Sequence, residues 1–288
     1  MNSLPSWIKR KTFQDVEAKN NVEEVIKTGN LNTVCTEANC PNKGECWAAG
    51  TATFMIMGEV CTRNCRFCDV HTGSPAGKLN RNEPNKIKDA AKELELDYVV
   101  LTSVDRDDLA DGGAGFYAAC IDSLKNISKP PLVEALIPDF SGEKNSLKKI
   151  LNSNPDVIGH NVETVERLSD RIRDPRARYS QSIELLRSVK ELRGEMVTKS
   201  SIILGLGEKE SEIEDTMRDL YGAGVDILTL GQYLRPSKKQ VEVERFWKPE
   251  KFKEFQELAH EIGFSAALAG PFVRSSYKAK ELYEQVSK

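Results

Sequence analysis

Six of the seven cysteines lie in two groups of three within the first quarter of the chain. The first triplet consists of Cys35, Cys40 and Cys46. The second triplet, spaced C-x3-C-x2-C, consists of Cys61, Cys65 and Cys68. A four-iron cluster normally takes one thiolate on each iron, so three cysteines leave one iron open to another ligand. Two such triplets in one chain favour a redox enzyme.

Two other uses of these cysteines stay open. Three disulfides would suit a small secreted protein, but a chain of 288 residues can bury a core without such crosslinks. Structural zinc takes four ligands, usually paired cysteines and histidines. The chain has three histidines, and only His71 lies near a triplet. Iron–sulfur ligation is therefore favoured over both alternatives.

Composition and charge indicate an intracellular globular enzyme. The net charge is −3 and 39% of residues are hydrophobic, which argues against a nucleic-acid-binding surface as the main function. No apolar stretch approaches the roughly 18–20 residues of a membrane span. The first residues, MNSLPSWIKRKTF, contain no apolar signal core. We expect a cytoplasmic protein without nucleic-acid or membrane partners, and an organelle matrix or stroma would fit the same composition.

Strand and helix patterns alternate after the first triplet. Strands are predicted at 51–60, 98–104, 132–137, 157–161, 197–204 and 227–230. Helices are predicted at 86–96, 115–125, 142–152, 162–171, 180–193, 209–223 and 249–262. Six βα units make either an open doubly wound sheet or most of a (β/α) barrel. In both folds the chemistry lies at the carboxyl ends of the strands, and the second triplet directly follows the first predicted strand.

The second triplet resembles the signature of the radical S-adenosylmethionine superfamily. Its sequence is Cys61-Thr-Arg-Asn-Cys65-Arg-Phe-Cys68. The resemblance implies that the three cysteines hold a 4Fe–4S cluster and that S-adenosylmethionine chelates the open iron. One electron from the cluster would cleave this cofactor to a 5′-deoxyadenosyl radical, which abstracts hydrogen from an unactivated carbon.

Further motifs, spread over nearly the whole chain, are similar to the lipoyl synthase family. They lie at 34–47, 100–113, 134–140, 160–164, 173–179, 228–237 and 270–277. The resemblance implies a second, auxiliary 4Fe–4S cluster held by the first triplet and by a serine of Arg274-Ser-Ser-Tyr277. Ser276 is the preferred ligand, and Ser275 is the alternative.

The same resemblance implies the substrate, the partners and the cofactor contacts. Lipoyl synthases insert sulfur at carbons 6 and 8 of an octanoyl chain on a carrier lysine, with the auxiliary cluster as sulfur donor. The expected partners are an octanoylated lipoyl domain of a 2-oxoacid dehydrogenase or the glycine cleavage H protein, and a flavodoxin or ferredoxin. Phe67 is expected beside the cofactor's adenine, and Asn161 and Glu163 beside its ribose or amino group. Packing for Phe67 and a helix start for the other two are the alternatives.

We therefore expect an α/β fold, a partial (β/α)6 TIM-type barrel at 51–270. An N-terminal extension at 1–50 and a C-terminal tail at 271–288 would close its open side. Two departures from the family pattern occur: Lys278 replaces a histidine after the Arg-Ser-Ser-Tyr motif, and Ser201 replaces the first glycine of a Gly-x-Ile-x-Gly-x-x-Glu strand. Another radical enzyme with an auxiliary cluster and a non-catalytic electron carrier are the remaining alternatives.

Overall fold

A parallel sheet organises the fold. The computed structural model describes residues 4–8, 16–37, 40 and 42–287. Its strands are β1 (Thr51–Ile56), β2 (Val60–Cys61), β3 (His71–Thr72), β4 (Tyr98–Ser103), β5 (Leu132–Leu136), β6 (Val157–Gly159), β7 (Val197–Leu204), β8 (Ile227–Gln232) and β9 (Ala266–Gly270). Over these residues, seven strands form one parallel sheet in the order β1-β4-β5-β6-β7-β8-β9, and β2 pairs separately with β3. Most residues of these seven strands are buried, polar ones included, because both faces of the sheet are covered.

Helices alternate with the strands, and most of them cover the outer face of the sheet. They are α1 (Val16–Gly29), α2 (Val34–Glu37), α3 (Lys43–Ala48), α4 (Glu83–Glu93), α5 (Ala114–Lys125), α6 (Lys144–Asn152), α7 (Glu166–Ile172), α8 (Tyr179–Leu192), α9 (Glu210–Gly222), α10 (Pro249–Ile262) and α11 (Ala279–Val286). A 3-10 turn spans Phe140–Gly142. This repeated strand–helix order confirms the predicted partial TIM-type barrel.

The last helix fills the inner face of the sheet. Ala279 packs against Tyr98 and Val100, and Leu282 packs against Ile227 and Ala266. Tyr98, Ile227 and Ala266 are the first residues of β4, β8 and β9. Helix α11 therefore closes the amino-terminal end of the barrel and leaves the carboxyl ends of the strands for the functional site.

The segments before β1 and after β9 meet across the open side of the sheet. Thr33 bridges Phe54 in antiparallel fashion, and the Met55 N–H donates to the Asn32 carbonyl at 2.9 Å. The Asn42 side-chain amide donates to the Phe272 carbonyl at 2.6 Å. These contacts join the free edge of β1 to the segment that follows β9. The division of the chain at residues 50 and 270 stays a prediction.

Several boundaries differ from the sequence-based expectation. The strand predicted at 51–60 ends at Ile56, because Met57 and Gly58 have φ values of 67° and 90° that break the extended backbone. The helix predicted at 162–171 begins only at Glu166. Strands β3 and β9 and helices α1, α2, α3 and α11 were not predicted. Residues 1–3, 9–15, 38–39 and 41 of the predicted extension, and residue 288 of the predicted tail, lie outside the described residues.

Candidate metal centre

The second triplet lies in the loop that follows β1, at the carboxyl ends of the strands. Cys61 belongs to β2 and pairs with Thr72 of β3. The Thr62 N–H donates to the Asp105 carbonyl at 3.0 Å, and the Arg66 N–H donates to the Ile172 carbonyl at 2.8 Å. The loop is thereby attached to the segments that follow β4 and α7, as predicted for an active-site loop.

Backbone amides point at the sulfur atoms of this triplet. Cys61 Sγ accepts from the N–H groups of Arg63 at 3.4 Å and Asp105 at 3.3 Å, and Cys65 Sγ accepts from Asp174 N–H at 3.4 Å. Burial, together with the nearby Asp105 carboxylate and Cys68 thiol, raises the pKa of Cys61 to about 11 and that of Cys65 to about 12. Such partly buried, neighbouring thiols need a cationic centre to become thiolates, so the donor set fits an iron–sulfur cluster.

The first triplet is also a group of neighbouring thiols. Cys35 lies on α2 and Cys46 on α3, and the Cys40 N–H donates to the Cys35 carbonyl at 3.1 Å. Burial, together with the nearby Cys35 and Cys40 thiols, raises the pKa of Cys46 to about 12. All seven cysteines are free thiols, so the disulfide alternative does not hold in this structure. The donor set of the first triplet therefore also fits an iron–sulfur cluster.

Single-ion ligation requires a tighter arrangement than cluster ligation. Within the described parts of the chain, no three histidine, cysteine, aspartate or glutamate side chains are placed to hold one metal ion. A four-iron cluster binds one thiolate to each iron, so its ligands need not converge on a single point.

The C-terminal tail lies against the first triplet. The Lys278 backbone N–H donates a hydrogen bond to Cys46, which lowers the pKa of this otherwise buried thiol. The Tyr277 hydroxyl donates to Glu45 Oε1 at 2.7 Å. Ser275 and Ser276 immediately precede these two contacts, and both are half-buried. Both candidate serines thus lie in the segment that contacts the first triplet, and the assignment of the ligand stays a prediction.

A glycine on β8 makes room for this tail. A Cβ atom at Gly231 would lie 2.0 Å from the Val273 carbonyl oxygen, far inside van der Waals contact. The tail therefore passes the carboxyl end of β8 more closely than any side chain would allow.

The predicted cofactor contacts follow β6. Asn161 Oδ1 is buried and has no hydrogen-bond partner among the described residues. Glu163 has a φ of 67°, and burial raises the pKa of its carboxyl group while Arg173 lowers it. Burial raises the pKa of Cys68, and the nearby Glu163 carboxylate contributes to this rise. Phe67 is half-buried against the core around β7 and β8. A buried free acceptor beside a carboxylate fits a polar, cationic cofactor.

The turn after β7 is held by a buried carboxylate. Glu208 accepts from Gly205 N–H at 2.6 Å, Leu206 N–H at 2.8 Å and the Trp247 indole at 2.7 Å. Gly205 has a φ of 110°, and a Cβ atom there would lie 2.2 Å from the Gln232 side-chain nitrogen. Position 205 therefore accepts only glycine, and the absence of a side chain lets the turn after β7 pack closely against Gln232.

The arginines at positions 171–178 differ in their surroundings. Arg173 is buried and donates to Ser182 Oγ at 2.9 Å, whereas Arg171, Arg176 and Arg178 are exposed. Arg235, which follows β8, donates to the Gln240 and Lys238 carbonyls of its own loop.

Known proteins resemble this chain over nearly its whole length. Residues 55–220 match the family model of the radical SAM superfamily. Lipoyl synthase of Methanocella arvoryzae is 52% identical over 283 residues, which cover 98% of this chain and 95% of the relative. Lipoyl synthase of Francisella philomiragia subsp. philomiragia is 51% identical over 281 residues, which cover 98% of this chain and 86% of the relative. The chain belongs to the lipoyl synthase family. It is therefore an enzyme, a radical S-adenosylmethionine sulfurtransferase that uses an iron–sulfur cluster and S-adenosylmethionine.

Solved structures place this lipoyl synthase family member in the same fold. The FeFe-hydrogenase maturase HydG of Carboxydothermus hydrogenoformans aligns with a TM-score of 0.57 at 11% identity, over 94% of this chain and 78% of HydG. Methylornithine synthase aligns with a TM-score of 0.56 at 11% identity, over 87% of this chain and 81% of its own. At such low identity the likeness concerns the fold alone. Among the described residues, no helix has the length and apolar character to cross a bilayer.

Sequence reasoning missed the residues that hold the second triplet of this lipoyl synthase family member. Arg63, inside the motif, binds Asp107 and Asp139. Gln240 Nε2 donates to the Cys68 carbonyl at 3.1 Å, and the Val241 N–H donates to the Arg66 carbonyl at 3.0 Å. These partners lie far from the motif in sequence, and no periodic pattern marks them. The sequence feature that could have indicated them is the position of Asp107 and Asp139 shortly after two predicted strands.

Proposed function

We propose that this enzyme inserts sulfur at carbons 6 and 8 of an octanoyl chain attached to a lysine of a carrier protein. One observation carries the proposal: two separate triplets of buried or half-buried thiols occur in one partial barrel, and the tail that bears Ser275 and Ser276 contacts the first of them. The second triplet would serve radical formation, and the first triplet would serve sulfur donation.

The second triplet is proposed to hold the cluster that binds S-adenosylmethionine. When bound, that cluster supplies the electron that cleaves the cofactor. The unpartnered Asn161 oxygen would accept a hydrogen bond from the cofactor, and the Glu163 carboxylate would accept one from its amino group or ribose. Phe67 would cover the adenine from the adjacent loop. The backbone N–H groups at Cys61 and Cys65 would stabilise the thiolates.

The first triplet is proposed to hold the sulfur-donating cluster, with Ser276 as its fourth ligand and Ser275 as the alternative. A serine alkoxide is a harder donor than a thiolate and matches iron–sulfur iron less well. One weakly held corner would let iron leave and sulfide become available. The tail contacts at Tyr277 and Lys278 support this placement, because they bring the serines to Cys46.

The proposed partners are octanoylated lipoyl domains of 2-oxoacid dehydrogenases or the glycine cleavage H protein, with a flavodoxin or ferredoxin as electron donor. The exposed arginines Arg171 and Arg176 lie beside the second triplet, where Arg66 donates to the Arg171 carbonyl at 3.3 Å and Arg176 to the Thr62 carbonyl at 2.7 Å. Their positive charge, partly offset at Arg176 by Asp107 and Asp174, would attract acidic partners. We also propose a cytoplasmic location, since a reducing compartment keeps thiolates available to iron.

The test is an anaerobic assay on reconstituted protein. Iron, sulfide, reductant, S-adenosylmethionine and an octanoyl-lysine peptide are supplied, and mass spectrometry measures 5′-deoxyadenosine and dithiolated peptide. We expect Cys61→Ala to abolish both products. We expect Cys35→Ala to retain deoxyadenosine and lose the dithiolated product. Cys120→Ala is the matched control, because this buried thiol lies on α5 outside both triplets and should leave both products.

The outcomes separate the two halves of the proposal. Deoxyadenosine without dithiolated peptide in the wild-type protein would reject the octanoyl substrate. Dithiolated peptide from Cys35→Ala would reject the first triplet as the sulfur donor's site.

A further inference from the structure

Arg63 occupies an unusual place inside the second triplet. It lies between Cys61 and Cys65, yet its side chain is only 3% exposed. Arginine has five N–H donors in a planar arrangement, so burial requires several acceptors around it. The surroundings of Arg63 supply them from two other loops.

Two carboxylates bind the two edges of the Arg63 guanidinium. Nη1 and Nη2 donate to the oxygens of Asp139, each at 2.7 Å. Nη2 and Nε donate to the oxygens of Asp107 at 2.8 and 3.0 Å. Asp107 follows β4 and Asp139 follows β5, so one side chain ties the triplet loop to two barrel strands. Bidentate pairs of this kind fix orientation as well as distance.

The carboxylates around Arg63 need its charge. Asp105 also lies 3.4 Å from Arg63 Nε, so three aspartates surround one buried cation. Asp139 is 1% exposed and has little access to water. Without Arg63, these carboxylates would repel one another directly beside Cys61, whose Sγ accepts from the Asp105 N–H at 3.3 Å.

We propose that Arg63 is the positioning residue of the second triplet: by binding Asp107 and Asp139 at once, it fixes the backbone that presents the Cys61 and Cys65 sulfur atoms. The inference rests on the proposed role of this triplet as the site of the S-adenosylmethionine-binding cluster. The backbone N–H of Arg63 itself donates to Cys61 Sγ at 3.4 Å, so a shift of this residue moves both a sulfur ligand and one of its hydrogen-bond donors.

Arg176 provides an internal contrast. It binds the same loop from outside, donating to the Thr62 carbonyl at 2.7 Å and to Asp174 and Asp107 at 2.8 and 3.1 Å. Its side chain is 49% exposed, so water screens its charge and replaces its hydrogen bonds when it is removed. The positioning role therefore belongs to the buried arginine and not to basic charge near the loop in general.

The experiment isolates the cluster of the second triplet. The three cysteines of the first triplet are replaced by alanine in the full-length chain, which is then reconstituted with iron and sulfide. Arg63→Met and Arg63→Lys are compared with Arg218→Met, an exposed arginine paired with Glu214 on α9. The readouts are the rate of iron release to a chelator and the electron paramagnetic resonance spectrum of the reduced protein, with and without S-adenosylmethionine.

We expect Arg63→Met to release iron roughly 10–100-fold faster and to show an altered spectrum with S-adenosylmethionine, which is the scale for losing an outer partner of a metal ligand. Arg63→Lys should not rescue these properties, because an ammonium group cannot bind two carboxylates bidentately. Arg218→Met should match the parent protein. Parent-like release and spectra in Arg63→Met, or in Arg63→Lys, would overturn the proposal.

A second variant covers the case in which Arg63→Met does not fold. Asp139→Asn keeps the Arg63 pair with Asp107 and removes only the inner carboxylate, so it should release iron at an intermediate rate. A parent-like rate in Asp139→Asn would also overturn the proposal. These readouts need no octanoyl substrate, so they are independent of whether the wild-type enzyme makes the dithiolated product. A parent protein that binds no iron would instead reject the proposed function.

Discussion

At the scale of single residues, His160 shows how burial fixes a protonation state. It lies just after β6, where Nδ1 contacts the Ile137 carbonyl and Nε2 contacts Ser182 Oγ, each at 2.8 Å. The Ile137 carbonyl can only accept, so the imidazole proton is on Nδ1, and Nε2 accepts from the Ser182 hydroxyl. Burial, helped by the neighbouring Arg173 charge, lowers the pKa of His160 to about 4.

This depressed pKa predicts a pH-dependent loss of stability. Unfolded histidine has a pKa near 6.5, so the unfolded state binds a proton that the folded state excludes. The contribution of His160 is complete above pH 6.5 and is lost as the pH falls toward 4, by about 1.4 kcal/mol per pH unit. We expect His160→Gln to be less stable at pH 7 and to show a shallower decline between pH 6.5 and 4. Denaturant unfolding at several pH values measures both slopes, and equal slopes would contradict the prediction.

At the scale of helices and strands, the sequence predicted what local patterns encode. Strand β7 was predicted at its observed bounds, because five of the eight residues of Val197–Leu204 are β-branched or aliphatic and Gly205 follows directly. Helix α11 was missed: its eight residues bury only Ala279 and Leu282, and their partners are on β4, β8 and β9. The functional site shows the same contrast between local pattern and tertiary structure. The spacing of the cysteines predicts their role, whereas the Arg63 partners lie 44 and 76 positions away and contact Arg63 only in the folded protein.

The close passage of the tail over β8 predicts a selective defect. In Gly231→Ala, the new methyl group would meet the Val273 carbonyl at 2.0 Å, so the tail must move away from the first triplet. We expect the reconstituted variant to lose much of the iron of the first triplet and to keep that of the second. Iron analysis and electron paramagnetic resonance measure the two separately.

Gly222→Ala is the matched control for this change. No atom lies within 4 Å of a Cβ atom built at Gly222, at the end of α9, so its iron content should equal that of the wild type. Full iron content in Gly231→Ala would show that the serines reach the first triplet without this close contact.

At the scale of the whole molecule, a buried ion pair links three strands inside the barrel. Lys199 on β7 lies 2.9 Å from Glu134 on β5, and the Tyr98 hydroxyl of β4 donates to Glu134 at 2.8 Å. Both charged side chains are almost fully buried. The interior of the barrel therefore contains a buried ion pair, in which each side chain compensates the charge of the other.

Removing one charge should cost more than removing both. Lys199→Met leaves Glu134 buried without its cation, and we expect a loss of about 3–5 kcal/mol in the free energy of unfolding. The double variant Lys199→Met with Glu134→Gln should recover a large part of this loss, because no net charge then remains inside the barrel. Denaturant unfolding of the two single variants and the double variant gives the coupling energy. Additive losses would show that the two charges act independently.

The donors to the sulfur atoms have an evolutionary consequence. Cys61 and Cys65 receive their hydrogen bonds from the peptide groups of Arg63, Asp105 and Asp174, not from side chains. At Asp105 and Asp174, a point mutation changes the side chain and leaves the peptide donor in place, unless the codon becomes one for proline. At Arg63 the position of the peptide donor also depends on the side chain, which binds Asp107 and Asp139. Lineages can therefore vary more freely at the two aspartates than at Arg63 while they keep the same donors to the sulfur atoms.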